Sequence, residues 1–253
     1  MIDRNPSSWI GCLPRKSNAP HLTLQADSET FDEPLKHWIR QCVPTYNQKG
    51  DSCVGEGWAN YVEIIVRSYV AMDAIPRGMQ LNGYAVWAEA KRLFYNNVLN
   101  GGLQLYEGFY ALQSLGWIPE DTELVEVGED WISQGKALMD APLVVGHMVH
   151  QGWFDPNPEN GCLDHAPLSA KEVGGHCTCR IGRHVQKDRR FYSALNSWGP
   201  DYANYGIFLM DEEMDENTIL DTPYTIYIPG GFERLREHRG WEAGLIVTPR
   251  GNS

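Results

Sequence analysis

The side chain in this 253-residue chain best placed to act as a nucleophile is Cys53, in the segment Gly50-Asp51-Ser52-Cys53-Val54-Gly55-Glu56-Gly57-Trp58. It stands at the head of the strongest helical pattern in the sequence, and a helix N-terminus favours a thiolate and turns backbone N–H groups toward a developing oxyanion. A free cysteine is more often a small buried hydrophobe, so the partners decide. A nucleophile needs a base and the base needs an orienting group. Gly174-Gly175-His176-Cys177 and Leu195-Asn196-Ser197-Trp198-Gly199 offer both, on two strand-like segments. If those strands are neighbours, the Asn196 amide holds one ring nitrogen of His176 and leaves the other for the thiol. Zinc is the competing chemistry. Cys162-x2-His165 with Cys177-x-Cys179 supplies four plausible ligands, and alternation puts Cys177 and Cys179 on one strand face. That spacing is not a common finger or ribbon, and cysteine in a strand also imitates a small apolar residue.

The elements that must position these groups change character along the chain. Residues 1–44 are polar and irregular and read as an extended arm, with at most one helical turn around Pro34–Arg40. Apolar residues at Val54, Trp58, Tyr61, Val62, Ile65, Tyr69 and Met72 predict a helix over Val54–Met72, supported by an i,i+4 pair between Glu63 and Arg67. Gly55 and Gly57 in its first turns imply close packing, since glycine is a poor helix former. Further helices fit Tyr84–Tyr95 and Leu103–Leu115. After about residue 125 short β-branched and aromatic runs predict strands over Ala141–Val149, Gly175–Gly182, Phe191–Ser197, Tyr205–Met210, Tyr224–Ile228 and Gly244–Thr248. A helical first half and a strand-rich second half imply an α+β protein of two lobes, whose junction is a natural ligand cleft. The acidic run from Asp211 to Glu216 reads as a solvated loop.

Taken together, these motifs resemble the papain-like cysteine peptidases, in the style of their bacterial and bacteriophage members, over roughly residues 40–230. His176 and Asn196 follow Cys53 in the family's order and at about its 130–150-residue scale. The resemblance implies an α+β, two-lobe papain-like fold: a helical lobe about 45–125, an antiparallel β-rich lobe about 126–253, and an active-site cleft between them. It implies that Cys53 is the nucleophile, His176 the base, Asn196 its orienting group and Gln48 an oxyanion-hole donor. Trp198 would shield the His–Asn hydrogen bond, and Gly101, Gly102 and Gly175 would bind the substrate backbone. No cofactor or metal is implied. The sequence departs from the family in four places. Gln48 lies five residues before Cys53 rather than six, Val54 replaces a tryptophan, Glu56 brings a negative charge beside the thiol, and the run after Trp198-Gly199 lacks the usual Gly-Tyr. The family's inhibitory prosegments are longer and helical, so the arm is not expected to act as one.

The expected activity is hydrolysis of peptide or amide bonds through an acyl-enzyme. Other acyl transfer on the same residues stays open, and so does a structural or assembly role with neighbouring subunits as partners. Acidic residues number 33 against 21 basic ones, a net charge of −12, which disfavours nucleic acid and anionic membrane as partners and leaves a peptide or protein substrate. No apolar run reaches the length of a membrane helix, and the first residues lack a signal-peptide core. The expected location is therefore cytoplasmic, or virion-associated if the source is a bacteriophage.

Overall fold

The computed structural model describes residues 11–14, 22–24, 38, 47–157, 161–163 and 171–247. Helix α1 (Cys53–Ile65) starts at the candidate nucleophile and continues as a π-helical turn over Val66–Val70, where the Ser68 hydroxyl bonds the Ile64 carbonyl. The expected pair forms, with Arg67 2.8 Å from Glu63, and Glu63 also accepts the Leu81 backbone N–H. α2 (Gly83–Phe94) and α3 (Leu105–Ser114) pack beside it. A Cβ at Gly55 would strike the Gly83 carbonyl, and one at Gly57 would lie 2.7 Å from Cys177 Sγ. Those two glycines thus let α1 close on α2 and on the sheet.

Among the described residues seven strands form one sheet in the order β1-β3-β8-β4-β5-β6-β7. They are β1 (Leu22–Leu24), β3 (Glu123–Val127), β4 (Leu143–His150), β5 (Glu172–Gln186), β6 (Arg189–Leu195), β7 (Ile207–Asp211) and β8 (Ile219–Tyr227). All neighbours are antiparallel except β1 and β3. A small pair, β2 (Met79–Leu81) with β9 (Leu245–Val247), lies apart. α4 (Trp131–Asp140) is capped by Asp130, which accepts from Ile132 and Ser133. One buried apolar cluster joins α1 to the sheet, and a second lies around Trp153, Trp198 and Phe208. The α+β arrangement expected from the sequence is present.

One expectation is corrected. The acidic run is not a loop: Asp211 ends β7 and caps helix α5 (Glu212–Thr218) through the Met214 N–H. Asp215 within it is 0 % exposed, because it has a buried arginine to pair with. The arm is woven into the molecule where it is described. β1 adds an edge to the sheet, and buried Trp38 donates through its backbone to the Ile181 carbonyl and through its indole to the Leu138 carbonyl. The turn expected around Pro34–Arg40 otherwise lies outside the described residues.

Candidate active site

Three elements carry the candidate residues. α1 supplies the cysteine as its first residue, with Ser52 as N-cap. β5 supplies His176, and β6 ends one residue before Asn196 after its rung Cys179↔Leu195. Just beyond β6, residues 197–198 run antiparallel to residues 47–48, through the Asn47↔Trp198 bridge and a 2.8 Å bond from Gln48 N to the Ser197 carbonyl. Gln48 is thereby tied to the same corner. Its side-chain oxygen accepts from Ser197 Oγ at 2.6 Å, and its Nε2 donates to the Gly50 carbonyl at 2.7 Å.

The proton on His176 can be placed by donors and acceptors alone. Asn196 Oδ1 lies 2.7 Å from the Ser197 backbone nitrogen, which can only donate, so that atom is the amide oxygen. The same oxygen lies 2.7 Å from His176 Nε2. Nε2 therefore carries the hydrogen and Nδ1 keeps a lone pair. Nδ1 is buried and without a hydrogen-bond partner among the described residues. The Trp198 ring centroid is 4.5 Å from that of His176, with Phe154 stacked on its other side at 5.0 Å.

Cys53 and His176 are both 0 % exposed. Burial pushes the Cys53 thiol up to about 12, helped by the Asp51 charge and opposed by the backbone amides of Cys177, Val54 and Gly11. Burial pushes His176 down to about 4; the Asn196 bond opposes this and a charge on His147 adds to it. At neutral pH this arrangement holds a thiol and a neutral imidazole. The charge expected at Glu56 is muted too, since burial raises its carboxyl to about 7 against the pull of Ser52 and Lys49.

Part of the cover over this site is the chain's own N-terminal segment. Gly11 and Cys12 donate to the Gly175 carbonyl at 3.1 Å, Leu13 donates to the Leu103 carbonyl at 2.7 Å, and Leu103 donates back to Gly11 at 2.7 Å. Gln104 Nε2 holds the Pro14 carbonyl at 2.9 Å. A Cβ at Gly175 would strike the Cys12 carbonyl, and one at Gly102 the Gly11 carbonyl. Gly102 and Gly175, expected to meet substrate, thus meet residues 11–13; Gly101 donates its N–H to Asp51 Oδ2 at 2.8 Å. Cys12 is buried, with its sulfur 2.8 Å from where a Gly146 Cβ would stand. The sequence carries little signal for this cover, because most of its hydrogen bonds are backbone to backbone. Beside residues 47–51 an open depression remains, lined by Lys49, Asp51, Tyr84, Trp87, Leu99 and Asn100.

The cysteines proposed for zinc separate. Cys162 bridges to Leu209 on β7, whereas Cys177 and Cys179 are buried in the cluster that joins α1 to the sheet. Among the described residues no group of three or more His, Cys, Asp or Glu side chains is placed to hold a metal ion. His165 lies outside them.

No family model and no curated sequence matches the chain, but solved structures do. It is similar to xylellain, a cysteine protease from Xylella fastidiosa, with a TM-score of 0.70 at 16% identity over 89% of this chain and 98% of that one. The fold is papain-like. Digestive procathepsin L2 from Tenebrio molitor superposes with a TM-score of 0.65 at 12% identity, over 90% of this chain and 81% of that one. The bromelain protease from Ananas comosus, solved with the E64 inhibitor, gives 0.55 at 15% identity over 77% and 98%. At these identities the papain-like likeness covers architecture. No helix of the described residues is long and apolar enough to cross a membrane.

Proposed function

We propose that the protein is a thiol peptidase or amidase that cleaves a peptide or protein chain through Cys53, His176, Asn196 and Gln48. The observation that carries this reading is the shared Asn196 oxygen. By accepting from both Ser197 and His176 it fixes the Nε2–H tautomer and leaves Nδ1 as the base. Cys53 at the head of α1 supports the same reading. In the open, solvated cleft His176 takes the thiol proton at Nδ1, and the thiolate attacks the carbonyl carbon of the scissile bond. The Cys53 backbone N–H and the Gln48 amide face the oxyanion. His176 returns the proton to the leaving amine, and water, deprotonated by His176, releases the acid from the acyl-enzyme.

Intact-mass analysis after treatment with a thiol-directed epoxide tests this on the full chain. One adduct on Cys53 is expected, strongly reduced in His176→Ala. Labelling of other thiols while Cys53 stays bare under conditions that expose it would sink the reading.

A further inference from the structure

The support beneath His176 is polar where an apolar core would cost less. His147 on β4 stands directly opposite His176 on β5, and both are wholly buried. Residues facing each other across antiparallel strands share a sheet face, with Cβ atoms about 4.5–5.5 Å apart. His147 Nε2 lies 2.8 Å from Asp215 Oδ1. Asp215 is ion-paired with Arg180, whose other nitrogen donates to Gln134 Oε1 and whose guanidinium sits 3.8 Å over the Tyr192 ring. Trp153 packs on His147 at 5.6 Å. A further acid among the described residues is Asp221 on β8, opposite Gly146.

The protonation of this cluster follows from its partners. Burial alone would raise the Asp215 carboxyl, but Arg180 and His147 hold it below its ordinary value. An ionised carboxylate only accepts, so Nε2 of His147 carries the hydrogen between them; Arg180 is the more distant contact at 3.3 Å. A second proton must enter at Nδ1, which is buried and has no hydrogen-bond partner among the described residues. Burial lowers His147 below its ordinary value and the Arg180 charge adds to this, but the Asp215 carboxylate opposes both and steadies the cation. His176 has only a neutral amide.

We propose that His147 is a positioning residue for His176 that acts as an acid-side brake: it takes up the proton first, and its charge across the strand pair then keeps His176 uncharged. The inference rests on the reading of His176 as the base. Buried ion pairs are often replaceable by apolar residues at no loss of stability, and a titrating role gives this one a reason to be kept.

Histidine NMR on the full, carbon-13-labelled chain reads each ring separately and needs no turnover. In the wild type the His176 resonance should move in two steps, the first at the midpoint of His147. In His147→Gln, whose amide can still reach Asp215, His176 should titrate in one step with its midpoint higher by about half a pH unit or more. The acid limb of kcat/KM should move to higher pH by the same shift, because protonated His176 cannot take the thiol proton. A single-step His176 curve in the wild type overturns the proposal, as does an unchanged midpoint in the variant. So does a uniform loss of kcat/KM at every pH, the mark of a packing role alone. The wild-type titration stays decisive if His147→Gln does not fold. Coupled titration without peptide cleavage would support the brake and count against the peptidase reading.

Discussion

Asn196 concentrates more of the site than any other single side chain, since one oxygen satisfies two donors. Removing it in Asn196→Ala leaves the His176 and Ser197 N–H groups buried and unpaired, at about 1–3 kcal/mol each. Stability measured by urea denaturation should fall by that order, and kcat should fall with it because the tautomer is no longer fixed. Cys53→Ala makes the opposite pattern: turnover disappears while the melting temperature holds, since a small side chain replaces another. An Asn196→Ala variant of unchanged stability would show that the two bonds do not carry this corner. Gln48→Ala should lower kcat by about ten- to a thousandfold, the range for a lost oxyanion donor. Unchanged kcat would remove Gln48 from the oxyanion hole.

Elements divide sharply into those the sequence displays and those it hides. α1 was legible because its apolar spacing is long and regular, and β4 to β6 because their β-branched or aromatic runs are short and bounded by turn residues. α5 was hidden, because a run of acids reads as solvated when the basic partner, Arg180, lies 35 residues earlier on another strand. That concealed role has a measurable form. Asp215→Ala strands a buried guanidinium and should cost about 3–5 kcal/mol in urea denaturation. Glu213→Ala, exposed on the same helix, should stay within about 0.5 kcal/mol of wild type. Equal effects would mean that the run behaves as the solvated loop its composition suggests. The site itself was legible as residue types in order, but its cover was not. Gly11, Cys12 and Leu13 hold the cleft through main-chain groups that every sequence possesses.

At the scale of the whole molecule, residues 11–14 pack against Gly175, Leu103 and Asp51, beside a Cys53 and a His176 that burial keeps uncharged. A Cβ at Gly11 would run into the backbone of Asp51, so Gly11→Ala should pry this segment away and speed epoxide labelling of Cys53 at least about tenfold, as even 1.4 kcal/mol of strain would. The same coupling sets a pH window. His176 is depressed from an ordinary 6.5 to about 4 in the closed form, so it binds no proton there until well below the pH at which a solvated imidazole does. If opening restores the ordinary value, closure is fully favoured above about 6.5 and loses about 1.4 kcal/mol, or tenfold, per pH unit as pH falls toward about 4. Cys53 has the opposite sign: raised from 9.0 to about 12, it opposes closure as pH rises above 9.0. The segment should therefore be most tightly closed between about pH 6.5 and 9. Hydrogen exchange at the amides of Gly11, Cys12 and Leu13, corrected for intrinsic rates, reads this directly. Protection should fall by about tenfold between pH 6 and 5, with epoxide labelling of Cys53, corrected for thiolate reactivity, rising in parallel. Protection that stays flat from pH 7 to 4.5 would mean that the buried imidazole remains equally shielded with the segment open, and that something other than residues 11–14 keeps His176 dry.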